Sequence, residues 1–369
     1  MKSSKPSLSI RMLVGGLLAL ILAACSSGGN EVPEGRWISL LSLIPDTERS
    51  REEVTMSDHA RIRDLFDIDR PAINADEDEL VEYLQEIALS QPGISFAEIY
   101  GLSHSPLPLL ELRTELGFTV ADVDIDASAG RVPIPYQIVI GRFGEDVVVE
   151  ALRTDLSFSD ILEEASYDGI AYYHWGYEGF DPDRITAVRP LGRGHQLTVV
   201  DGMVSWTILL EDMENMIDAG LGNGPSLADS EDYQLLAEAL DEMDTYTAFF
   251  SFDSSDLAAA SWRSHVPEGA SLDDLALEVA LVPYIAFATG TGRDEDGQFT
   301  AIALVHDGED SAEENVTRLR ERIREAGSMF IAGRFVGETP PLWSDVLGDV
   351  QIERDGKVVM AKLYGGPER

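Results

Sequence analysis

The chain is poor in cysteine, in histidine and in positive charge. Cys25 is the only cysteine among 369 residues, so no disulfide forms within the chain. The six histidines are His59, His104, His174, His195, His265 and His306. None lies three or four residues from another, which excludes the helical pair that holds zinc. There is no His-Glu-x-x-His, no Gly-x-Ser-x-Gly, and no glycine-rich loop ending in Gly-Lys-Ser/Thr. Gly101-Leu-Ser-His-Ser105 lacks the second glycine of a nucleophile elbow. No residue stands out as catalytic, cofactor-binding or metal-ligating, and no cofactor is expected. Basic residues number 27 against 67 acidic ones, for a formal charge of −40. Such a surface repels phosphate backbones, so nucleic acid is excluded as a partner. It also keeps a protein soluble where salt screens its charges.

The start of the chain departs from this acidity. Lys2, Lys5 and Arg11 precede any acidic residue, and an apolar run follows from Met12 to Ala24. That run suits a signal-peptide core and falls short of the roughly 20 residues a membrane-spanning helix needs. It ends Leu22-Ala23-Ala24-Cys25, and Ser26-Ser27-Gly28-Gly29-Asn30 follows with the composition of a flexible tether. The segment resembles the lipobox of bacterial lipoprotein precursors. The resemblance covers about the first thirty residues and implies removal of residues 1–24 and lipid attachment to Cys25. It further implies export and a membrane partner reached through that lipid, with the domain facing outside the cytoplasm. Losing three basic residues takes the formal charge from −40 to −43. Two or three acyl chains anchor stably where one is marginal, so the domain needs no apolar face of its own to stay on a membrane.

Strong net charge can mean disorder, but 44% of the residues are hydrophobic and their spacing is regular. After a tether over 25–35, residues 36–130 read as a helical lead-in segment. Glu53–Ser57 suggests a short strand, and Ser57 or Asp58 caps a helix through Ile62, Leu65 and Phe66. Leu80, Tyr83, Leu84 and Ile87 recur at helical spacing behind an acidic first turn, and a third helix is expected near Leu109–Leu116. From Ile134 onward strands appear: Tyr136, Ile138 and Ile140 alternate, and Ile170–His174 forms another candidate. Gly144 opens a short helix with Val147, Val148, Ala151 and Leu152 inward. Gln196–Val200 and Met203–Thr207 flank Asp201-Gly202, a strong hairpin signal. Helices over Leu209–Leu221 and Ser230–Met243 and a strand over Thr245–Phe252 follow.

The C-terminal part repeats this grammar. Val282–Thr289 and Gln298–Val305 flank a turn, and a helix follows in which Ser311-Ala-Glu-Glu314 matches a capping box. Val316, Leu319 and Ile323 form its apolar stripe, and Arg318, Arg320, Arg322 and Arg324 crowd its C-terminal half. Val350–Arg354 and Lys357–Leu363 make a last hairpin around Asp355-Gly356. Hairpins imply antiparallel pairing. The expected fold is α+β: antiparallel sheets built from hairpins, with helices packed on one face. The hairpin-then-helix unit, seen at 195–220 and 281–326, suggests related halves over 131–252 and 253–369.

Two clusters invite a functional reading. Asp122-Val-Asp-Ile-Asp126 has the look of half a calcium loop, yet Ala127 and Pro133 stand where such a loop needs glycine and glutamate. The better reading is a short helix capped by Thr119, with Val123 inward. Tyr172-Tyr-His-Trp-Gly-Tyr177 with Phe180 is the densest aromatic stretch. Exposed, it would stack on a sugar or a peptide; strand alternation places about half of it in the core. The sequence reads as a lipid-anchored exported protein with a non-enzymatic binding or structural role toward a protein or small-molecule partner. A solute-binding lipoprotein of a transporter and a surface hydrolase are the alternatives.

Overall fold

In the computed structural model, the residues described are 35–90, 108–130, 136–157, 159–175, 181–186, 192–200, 202–252, 281–325 and 347–365. They form one sheet of twelve strands, every neighbouring pair antiparallel, in the order β11-β12-β10-β9-β8-β1-β2-β3-β7-β6-β5-β4. The strands are β1 (Val54–Asp58), β2 (Val123–Ala129), β3 (Tyr136–Gly141), β4 (Glu163–Tyr167), β5 (Ile170–Trp175), β6 (His195–Val200), β7 (Met203–Thr207), β8 (Thr245–Ser251), β9 (Ala286–Asp294), β10 (Gly297–Val305), β11 (Leu347–Asp355) and β12 (Val358–Gly365). The helices are α1 (Arg36–Leu41), α2 (His59–Phe66), α3 (Glu77–Ser90), α4 (Pro108–Leu116), α5 (Glu145–Thr154), α6 (Leu210–Leu221), α7 (Glu231–Glu242) and α8 (Glu309–Glu325). The fold is α+β and antiparallel.

The helices cover both faces of this sheet, where the sequence pattern suggested one. The cause lies in strands that are apolar at both parities, as sheets covered on both sides require. On β3, Ile138 joins the core under α1 and α7, while its neighbour Val139 joins the opposite core with α3, α4 and α5. On β10, Ala303 faces α7 and Leu304 faces α8. Trp37, Tyr233, Phe250 and Met56 are fully buried in the first core, each contributing about 1.5–3 kcal/mol.

The expected β6–β7 hairpin pairs Val200 with Met203, Asp201 itself lying outside the described residues, and Leu197↔Trp206 and Val199↔Val204 are direct cross-strand partners in one buried cluster. The last hairpin turns one residue later than expected. Asp355 pairs with Val358, so Gly356 and Lys357 are its centre, and Gly356 supplies φ +52°. A third tight turn, Asp168-Gly169 between β4 and β5, has both residues at positive φ. In α5 the buried side chains are Val148, Val149 and Leu152, and Val147 is exposed. Ser311 does not cap α8. It lies in the first turn, where its hydroxyl donates to Asp307 Oδ1.

The sheet is built of two arms meeting where β1 pairs with β8. Outward from β1 come β2, β3 and β7; outward from β8 come β9, β10 and β12. In each arm a hairpin leads into a helix, α5 or α8, and a later strand returns beside the hairpin's second strand. β1 and β2, from the lead-in segment, sit in the middle of the sheet. The position 252/253 falls between β8 and β9, which pair with each other.

Candidate functional site

The Asp122–Asp126 cluster is an ion-bonded layer. Thr119 and Asp122 form a capping box on a 3-10 turn, as the sequence suggests, but Val123 begins β2 instead of extending the turn. The acids then alternate along the strand, and each is taken by a cation or an imidazole. Arg142 Nε donates to Asp122 at 2.8 Å. Asp124 Oδ1 receives Arg63, and Arg70 at 2.9 Å. His59, the first residue of α2, reaches Asp126, and both are buried. Burial pushes the Arg70 pKa down, and the neighbouring Arg63 and Arg142 add to that push. Arg142 also donates to the Pro71 carbonyl, and Arg113 donates to that of Ala75 at 2.9 Å. The acids thus fasten α2 and the 68–76 loop to the sheet. Among the described residues no three His, Cys, Asp or Glu side chains come together as a metal site.

On the other face, Tyr136 donates its hydroxyl to Asp212 at 2.9 Å, and Arg49 pairs with the same carboxylate while lying 4.8 Å from the tyrosine ring centre. Burial raises the Tyr136 pKa. Asp212 is itself buried, so this cluster ties α6 to β3. The tyrosines and tryptophan in the described part of the aromatic stretch are core: Tyr172 faces Met213 and Ile217 of α6, and Tyr173 and Trp175 enter the opposite cluster. Tyr177 and Phe180 lie outside the described residues, as do Cys25 and the rest of residues 1–34.

An open site lies elsewhere. Between the C-terminal half of α8 and the start of β11 lies a cavity of about 480 Å³, lined by Arg320, Ile323, Arg324, Leu347, Gly348, Asp349 and Val350. The apolar stripe of α8 places Ile323 on the sheet, and residues one and three positions away carry guanidinium groups to the rim. Arg320 Nη2 donates to the Ile352 carbonyl at 2.9 Å, and Arg324 Nε to the Arg320 carbonyl. Neither makes an ion pair among the described residues, whereas Arg318, two residues before Arg320, pairs with Glu314 at 2.6 Å. The run of four arginines was visible in the sequence. That two of them border a cavity was not, because β11 meets α8 only through tertiary packing.

No protein-family model matches the chain, and no curated protein matches it. Among solved structures, the chain is similar to the Treponema protein TP0453. Crystal form I is 9% identical with a TM-score of 0.36, covering 88% of this chain and 91% of that one. Crystal form III is 8% identical with a TM-score of 0.37, covering 88% and 93%. At that level the likeness bears on nothing else in the molecule.

Proposed function

We propose that this is a lipid-anchored exported protein with a non-enzymatic binding role. The observation that carries the anchor is Leu22-Ala23-Ala24-Cys25 behind a basic start and an apolar core. The binding role is supported by the cavity beside α8 and by the way the conspicuous acids of β2 are engaged in holding the fold. The solute-binding alternative expects two lobes of parallel strands, and each pairing in this sheet is antiparallel. Metabolic labelling with radioactive palmitate, followed by membrane fractionation, tests the anchor. The wild-type chain takes label and sediments with membranes, and Cys25→Ser loses both properties. Equal labelling of the two overturns the assignment.

A further inference from the structure

We propose that the cavity between α8 and β11 binds small organic anions that carry an apolar end, an inference that rests on the binding role above and names its ligand class. Three observations meet there. First, the volume of about 480 Å³ lies within the range of small-molecule sites. Second, the lining divides chemically: Ile323, Leu347 and Val350 are apolar, and Arg320 and Arg324 bring two cations with donors to spare. Third, those cations pair with no acid among the described residues, in a chain with 67 acids for 27 bases. Acids are abundant enough to neutralise every arginine, and here the described acids do not. Asp349, the one carboxylate among the described residues of the lining, instead accepts the Val350 N–H at 2.9 Å. The helix dipole favours arginines near the end of α8; it does not account for their facing an apolar hollow.

The occupant is a small molecule rather than an added peptide strand. Asp355 and Val358 close a two-residue turn and form a hydrogen-bonded pair, so Val350, Ile352 and Arg354 turn their backbone groups away from β12. Two of those outward groups are already taken: the Val350 N–H by Asp349 and the Ile352 carbonyl by Arg320. Side chains that occupy an edge in this way discourage strand addition. What remains is the hollow itself, with a cationic rim and an apolar floor.

Titration calorimetry on the full chain in phosphatidylcholine nanodiscs tests this, with empty discs as the blank. Octanoate and octyl phosphate bind, and octanol and inorganic phosphate bind at least about tenfold more weakly. The Arg320→Gln/Arg324→Gln double variant loses at least about tenfold in affinity for both anions, whereas Arg318→Gln, outside the lining, binds as the wild type does. Thermal melts establish that the variants are folded, and Arg324→Gln alone is read if the double variant is not. Absence of octanoate binding to the wild type, undiminished binding by the folded variant, or inorganic phosphate binding as tightly as octanoate each overturns the proposal. Failure of the anchor assignment is seen separately, in the palmitate label. An unlabelled chain is titrated in buffer with the same four compounds.

Discussion

His59 Nε2 and Asp126 Oδ1 are joined in the layer between α2 and the sheet, with the two side chains 2% and 1% exposed. The contact ties the first residue of a helix to a central strand. Asp126→Ala leaves the imidazole buried without its acceptor and is expected to lower stability by about 3 kcal/mol. Urea unfolding measures this. The His59→Leu/Asp126→Leu double variant is expected to retain more stability than Asp126→Ala, since it strands no polar group. A single-variant loss below about 1 kcal/mol refutes the role given to the pair.

Gly202 and Gly356 sit at the two turns with φ of +80° and +52°. Valine at either position strains the backbone, with an expected loss of roughly 1–3 kcal/mol. Gly202→Val is the costlier, because its Cβ would approach the Gly141 carbonyl oxygen at 3.1 Å while that of residue 356 meets open space. Gly356→Asn is nearly neutral, since asparagine tolerates the left-handed region. Midpoints of chemical unfolding for the three variants check this order.

His306 is buried, with Nδ1–H donating to the Lys357 carbonyl at 3.1 Å and Nε2 accepting from Asn315 Nδ2 at 2.7 Å. This arrangement suits the neutral ring. Burial pushes its pKa down, against the upward pull of the Lys357 and Leu304 carbonyls and of Asp307. Because the folded pKa is the lower one, the unfolded chain binds the extra proton first. The stabilisation is therefore present above about pH 6.5 and is lost as pH falls below it. Between pH 8 and pH 5.5 the wild type is expected to lose up to about 1 kcal/mol more than His306→Gln. Burial raises the pKa of Asp58 and Asp241, an opposite trend on acidification that is common to both proteins. An identical pH response in the two removes His306 from the account.

Turn chemistry and helical spacing are local, and they were legible. The hairpin pairing Val200 with Met203, the capping residue Asp58 of α2 and the Leu80–Tyr83–Ile87 stripe of α3 stand where the residues placed them. β2 was hidden because Asp124 and Asp126, acids in a strand that lies at the heart of the sheet, gave the segment the look of half a calcium loop or a short capped helix. Only the arginines and histidine contributed by α2 and the following loop make acids acceptable there. The second face was hidden for a related reason: Ile138 and Val139 are both apolar, and periodicity does not show which partner each side chain meets. The cavity at Arg320 and Arg324 joins segments on either side of residues 326–346, and no local pattern announces such a meeting.

The β1–β8 pair has a consequence in time. A ribosome makes β1 about 190 residues before β8, an interval of roughly 10–40 s at ordinary elongation rates. Once β2 has been made, about 70 residues after β1, it can protect one side of β1, from Val54↔Ala129 to Asp58↔Ile125, but the side destined for Phe250 and Ala248 has no strand to accept until β8 follows. The half-made chain thus carries an open hydrogen-bonding edge at what will become the centre of the protein, and the last arm to be synthesised is the one that closes it.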